Sequence, residues 1–144
     1  MNSKINKTYY LEDLFVGQEA SISKIIYEKD IDVFAEITGD LNPLHIDSKF
    51  AKNSIFKKKI AHGFLTASLI SSVIGMKLPG PGSIYLSQSL KFLAPVYIGE
   101  KIITRVLVKE IIKEKKRIVL DTFCTRDTDK VLTGQAEIMV QSKN

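Results

Sequence analysis

The chain has 144 residues, 44% of them apolar and 26% charged, with a formal net charge of +5. These values are ordinary for a soluble globular protein and suit one domain over residues 1–144, long enough to bury roughly 70% of its unfolded surface. Lysines and glutamates are scattered rather than gathered into a stripe, which argues against a nucleic-acid binder, although a mild positive field would help draw in an anionic substrate.

Residues 1–8 are polar and read as a loose end, without the apolar segment of a signal peptide. Residues 9–17 mix apolar and acidic side chains and suit one turn before Gly17. Residues 18–28 alternate as a strand, with Ala20, Ile22 and Lys24 on one side and Ile25 and Tyr27 on the other. Asp30 then reads as an N-cap. Ile31, Phe34, Ala35 and Thr38 recur at helical spacing, and Gly39 suits the left-handed residue that stops a helix. The stretch Thr38-Gly39-Asp40-Leu41-Asn42-Pro43-Leu44-His45 reads as a stiff, non-helical connector, because Pro43 disfavours helix at Asn42. Asp47 can cap a short helix through Phe50 and Ala51. Lys57-Lys58-Lys59 has two readings, a solvated surface turn or a contact for the phosphates of a nucleotide-bearing substrate.

From Ile60 to Met76 there is no Asp, Glu, Lys or Arg. The run is slightly short for a membrane span and is interrupted by His62, Gly63, Thr66 and serines, so a buried helix over 63–77 is expected. Leu65, Leu69 and Val73 form its apolar stripe. About 15 residues at 1.5 Å each give roughly 22 Å, enough to fill the concave side of a curved sheet. Leu78-Pro79-Gly80-Pro81-Gly82 breaks it. The remainder reads as strand. Ile84, Leu86, Leu90 and Phe92 share one face with Gln88 between them, as partner to a buried group or as a substrate contact. Strands follow over 102–112, 117–126 and 131–140, joined by polar turns at 113–116 and 127–130, in the manner of an antiparallel meander. No repeat, low-complexity tract or linker divides the chain. The lone Cys124 cannot form an intrachain disulfide, which fits a reducing, cytoplasmic setting, and it reads as a small core residue.

Gly39-Asp40-Leu41-Asn42-Pro43-Leu44-His45, followed by Ala61-His62-Gly63-Phe64-Leu65-Thr66-Ala67-Ser68, resembles the hydratase motif of the MaoC-like family. Gly82-Ser83-Ile84-Tyr85-Leu86-Ser87-Gln88-Ser89-Leu90 extends the resemblance, which runs from about Asp32 to Met139 and is nearest to the small (R)-specific enoyl-CoA hydratases. It implies an α+β hot-dog fold, a curved antiparallel β-sheet wrapped around a long central α-helix, in a homodimer or higher homo-oligomer with active sites near the subunit interface. It implies reversible (R)-specific hydration of trans-2-enoyl-CoA to (R)-3-hydroxyacyl-CoA, with Asp40 and His45 as the catalytic pair and the Gly63 N–H polarising the thioester carbonyl. Ser71 matches a family position and would hydrogen-bond near the carboxylate. Ile74, one turn on, could line the acyl pocket.

The residue types suit that chemistry. A carboxylate and an imidazole can jointly hold and deprotonate one water. Amides that open a helix are unpaired and favour negative charge. Glycine there leaves room for a ligand to approach. His62 reads mainly as a brace for the loop. The reaction calls for no cofactor and no metal, the thioester of CoA or acyl-carrier protein being the substrate. His45 and Asp47 are too few for a metal site, and no third ligand presents itself. Ser68 lacks the Gly-x-Ser-x-Gly elbow of a serine hydrolase. The rival readings are an acyl-CoA thioesterase and a non-catalytic acyl-CoA-binding module. No nucleic-acid or membrane partner is expected.

Overall fold

The computed structural model describes residues 7–144, so most of the expected loose end lies outside the described residues. Its last part is not loose, since the Thr8 hydroxyl donates to the Pro81 carbonyl at 2.9 Å.

Three long strands, β4 (Lys101–Ile112), β5 (Arg117–Arg126) and β6 (Asp129–Met139), form the meander that the polar turns predict. Alternate residues of each strand are buried, so one face of the meander is apolar. Val106 sits opposite Thr122, which sits opposite Gly134, and Val108, Leu120 and Ala136 align in the same way. The strand β1 (Glu19–Ile25) adds antiparallel to β4. On the far side β2 (Ile84–Gln88) adds to β6, giving the order β1-β4-β5-β6-β2, with β3 (Lys91–Phe92) also on β6. The expected single strand over 84–92 is therefore two pieces. Its alternation slips between Tyr85 and Ser87, and the chain kinks close against β6 at Ser89, where Gly134 allows it. A Cβ on Gly134 would lie 1.8 Å from the Ser89 carbonyl oxygen. Further irregularities between Val108 and Glu110 and between Cys124 and Thr125 bend the sheet.

Helix α4 (Gly63–Met76) lies against the concave face. Leu69, Ile70, Val73 and Ile74 meet Ile102, Val106, Ile118, Leu120 and Ile138 in the core. The expectation of a helix buried nearly all round needs correction. Phe64 is 64% and Met76 48% exposed, and Ser68, Ser71 and Ser72 are also open to solvent. The uncharged sequence covers both faces, but one chain has sheet for only one of them. No helix among the described residues is long and apolar enough to cross a membrane.

Between β1 and α4 run three short helices, α1 (Glu28–Thr38), α2 (Pro43–Ile46) and α3 (Ser48–Lys52). The first begins two residues before the expected N-cap. Asp30 is its third residue, and its carboxylate reaches back to the Tyr27 N–H at 2.9 Å. Gly39 ends α1 at φ 76°, in the left-handed region. Asp47 caps α3 through the Lys49 and Phe50 N–H groups. Cys124 is fully buried beside Thr104, and burial pushes its thiol up to about 11. Gln88 donates to the Thr122 hydroxyl at 2.8 Å, so it serves a buried partner.

Candidate active site

The site is built where the turn after α1 meets the start of α4. Thr38 accepts the Asp40 N–H at 3.1 Å, and one Asp40 carboxylate oxygen accepts the Asn42 N–H at 3.1 Å. The Asn42 side chain in turn accepts the Leu44 N–H at 3.1 Å. Each short polar side chain thus caps the backbone two residues on. One consequence was not expected. Asn42 acts as an N-cap and Pro43 as a first helical residue, so 43–46 is a helical turn and His45 sits on it rather than on an extended connector.

His45 is 9% exposed. Its Nδ1 lies 2.8 Å from the Ile60 carbonyl oxygen. A carbonyl only accepts, so Nδ1 carries the hydrogen and Nε2 keeps its lone pair. Burial lowers the His45 pKa below its ordinary 6.5, and the neighbouring His62 lowers it further. The bond to Ile60 and the Asp40 carboxylate act in the other direction. The net result is a neutral imidazole at pH 7, able to accept a proton. Ile60 is itself held in place by a β-bridge to Tyr97, and Ala61 donates to the Val96 carbonyl at 2.8 Å.

His62 precedes α4 and is 2% exposed. Its ring stacks on His45 with centroids 3.9 Å apart, and Phe34 lies 4.8 Å away. Its Nε2 donates to the Asp40 backbone carbonyl at 3.1 Å, and its Nδ1 is buried without a partner among the described residues. His62 is therefore tied to both members of the expected pair, a role the sequence reading saw only as a brace.

One polar atom from each of Asp40, His45 and His62 lies within 4.8 Å of the other two. This gives the third candidate metal ligand that sequence reasoning lacked, while Asp47 is occupied as the α3 cap. The two imidazoles are stacked at 29°, so their in-plane lone pairs run side by side rather than converging on one ion. The arrangement suits a shared water better than a tetrahedral centre.

Gly63 opens α4. Among the described residues nothing accepts its N–H, nor that of Phe64. A Cβ on Gly63 would come within 2.7 Å of the Phe92 ring, so only glycine fits under it undisturbed. His45 and Gly63 both face a cavity of about 430 Å³, walled by Phe56, Phe92, Leu93 and Leu132 among others. Thr66 also lines it. It is 3% exposed, and its hydroxyl has no partner among the described residues. The sequence marked Thr66 only as a polar interruption of the uncharged run and a member of the motif stretch, because its place at the cavity is set by neighbours far along the chain. Ser71 and Ile74 are not brought to this cavity. They lie roughly two and three helical turns beyond Gly63. Ile74 is 2% exposed and packs into the core, while Ser71 is on the open face of α4.

A curved antiparallel sheet around one long helix, with an acid and an imidazole near that helix's N-terminus, defines the class: an α+β hot-dog protein. The chain belongs to the MaoC like domain family, whose model matches residues 14–129. It is 45% identical to an (R)-specific enoyl-CoA hydratase of Rhodospirillum rubrum over 94% of both chains. It is also 45% identical to a 3-hydroxybutyryl-CoA dehydratase of Methylorubrum extorquens, over 95% of this chain and 87% of that one. The unliganded R-hydratase PhaJ1 of Pseudomonas aeruginosa superposes with a TM-score of 0.90 at 39% identity, covering 94% of this chain and 88% of the other. Both named activities are those of hydro-lyases.

Proposed function

We propose that the protein adds water to trans-2-enoyl-CoA to give (R)-3-hydroxyacyl-CoA, reversibly. The observation that carries this reading is that the neutral His45 and the Gly63 N–H, which nothing accepts among the described residues, face one apolar cavity, while a carboxylate oxygen of the exposed Asp40 lies within 4.8 Å of a His45 ring nitrogen. The acyl chain occupies the cavity, and its thioester oxygen faces the Gly63 amide. Water held between Asp40 and His45 attacks C3 and gives up a proton to this pair. Negative charge moves onto the thioester oxygen, where the Gly63 amide and the helix N-terminus stabilise it. The proton returns to C2, which closes the balance with no net redox change. The chain's own groups therefore suffice for the chemistry. The activities named for the relatives support both the reaction and its (R) stereochemistry.

The protein acts as a homodimer or higher homo-oligomer. Phe64 and Met76 on α4, with Ile84, Leu86, Phe92 and Leu93 along the β2 edge, are each at least 39% exposed, and apolar area of this kind calls for a partner surface. Ser71 lies on the same α4 face, so what its hydroxyl contacts near the carboxylate comes from the second copy. Ile74 shapes the pocket only indirectly, by setting how α4 seats on the sheet.

Crotonyl-CoA should lose its enoyl-thioester absorbance when mixed with the protein. Asp40→Asn and His45→Gln should each lower kcat by about a thousandfold with folding unchanged. Full activity in both variants, or release of free thiol from saturated acyl-CoA in place of hydration, would sink this reading.

A further inference from the structure

We propose that Thr66 is a positioning residue for the proton-transfer pair: through one buried water, its hydroxyl supplies the hydrogen-bond donor that His62 Nδ1 lacks. The inference rests on the reaction proposed above, because it concerns how the groups that activate water are held.

Only three buried side-chain polar atoms among the described residues lack a partner: His62 Nδ1, Thr66 Oγ1 and Arg117 Nε. Arg117 belongs to β5, where another nitrogen of its guanidinium pairs with Glu137. The remaining two stand four residues apart at the start of α4. Leu65 and Thr66 both donate their N–H to the His62 carbonyl, at 3.0 and 3.3 Å. The first turn is therefore closed, and side chains four apart on it share a face. His62 is 2% and Thr66 3% exposed. Burial takes away the bulk water that would otherwise serve such atoms, so each calls for a partner.

The two atoms have complementary needs. His62 Nε2 faces the Asp40 carbonyl at 3.1 Å. A carbonyl cannot donate, so Nε2 carries the hydrogen and Nδ1 keeps a bare lone pair that wants a donor. The Thr66 hydroxyl has a hydrogen to give. In a helix that hydrogen commonly goes to the carbonyl four residues back, but here that carbonyl already accepts two N–H groups. No direct bond joins the hydroxyl to Nδ1. One water completes both, donating to Nδ1 and accepting from Thr66, and the cavity that Thr66 lines brings solvent to it.

The bond matters because of what His62 touches. Its ring stacks on His45 with centroids 3.9 Å apart, and Phe34 lies 4.8 Å away on the same ring. Its Nε2 holds the backbone of Asp40. One imidazole thus touches both members of the pair. Held at one nitrogen, the ring can still tilt about that bond; held at both, it cannot. Thr66 therefore fixes the plane against which His45 lies and steadies the turn that carries Asp40. Its role runs through His62 rather than through the substrate.

The test compares the full chain with Thr66→Val, which keeps the shape and removes the hydroxyl, and with Thr66→Ser, which keeps the hydroxyl. Thr104→Val is the control, since it removes another buried hydroxyl, one that already bonds Cys124. With crotonyl-CoA, Thr66→Val should lose about tenfold in kcat while KM changes by less than about twofold. Thr66→Ser and the control should stay within about twofold of the wild type in both constants. Nitrogen NMR spectra of the imidazoles give a second readout that packing alone would not move. In the wild type and Thr66→Ser, His62 should show the Nε2–H tautomer with a hydrogen-bonded Nδ1. In Thr66→Val the Nδ1 resonance should move downfield, towards that of a free lone pair. A raised KM with kcat intact in Thr66→Val overturns the proposal, since it marks a substrate contact. So does an Nδ1 resonance that is the same in the wild type and Thr66→Val, or an equal kcat in the two. If the wild type hydrates no enoyl thioester, the reaction reading fails, while an Nδ1 resonance that depends on the Thr66 hydroxyl still upholds the bridge.

Discussion

His45 keeps its ring almost out of water, so its proton affinity is a property of the fold. In the unfolded chain it titrates near its ordinary 6.5, whereas in the folded chain burial first, then His62, lowers the value. Below 6.5 the unfolded chain therefore takes up a proton that the folded chain resists. The unfolded state binds more protons in that window, and stability rises with pH across it and falls as the solution is acidified. Urea midpoints measured from pH 7.5 down to 5 should show this decline, with a shallower one in His45→Gln. For the same reason the acid limb of kcat/KM should fall below 6.5. An acid limb at or above 6.5 would mean that the ring is solvated and not the base described here. At this scale the sequence carried Asp40, His45 and Gly63 because each sits in a local pattern, a turn or a helix start. It could not carry Thr66 or the stacking of His62 on His45, which depend on what distant segments bring alongside. Ile74 looked like a pocket residue by its spacing from Ser71, but the side of α4 on which it lies faces the sheet.

The element that holds His45 is only one turn long, and a helix of that length does not persist without help. Its stability comes from the Asn42 cap, the pre-set backbone of Pro43 and the bond from the imidazole to Ile60. Asn42→Ala should cost about 1 kcal/mol of stability, and kcat should fall more than that small loss suggests, because the turn aims the imidazole. Asn42→Ser, which retains a capping oxygen, should recover most of both. Thermal melts and steady-state assays on the pair of variants test this, and equal activity of Ala and Ser would separate the cap from the site. Elements with strong periodicity, α4 and the three meander strands, were legible nearly to their ends. Those that depend on a cap were not. The Asp30 side chain reaching back to Tyr27 moved the start of α1, and Asn-Pro read as a break where it begins a helix.

The molecule as one chain leaves an apolar face exposed, with Phe64 64% and Ile84 54% accessible. The meander, the central helix and their antiparallel pairing could all be read from alternation and turn chemistry. The open face of α4 could not, because a sequence shows that a surface is apolar without showing whether the same chain covers it. Light scattering should give at least twice the 16.2 kDa of a single chain. Paired charges at Leu86 and Met76, as Leu86→Glu with Met76→Glu, should drive the mass towards one chain and reduce turnover with it. A fully active monomer would refute the shared interface. The strand order has one more consequence, which concerns the route to the folded state. Strands β4, β5 and β6 are neighbours in sequence and can zip together early. The pairing of β1 with β4 instead closes a long loop that contains α1 to α4 together with Asp40, His45, His62 and Gly63. Such closure is slow relative to hairpin formation. A newly made chain should therefore pass through a form with most of its sheet built and no competence to act on substrate, and the recovery of circular dichroism ahead of enzymatic activity after dilution from urea would reveal it.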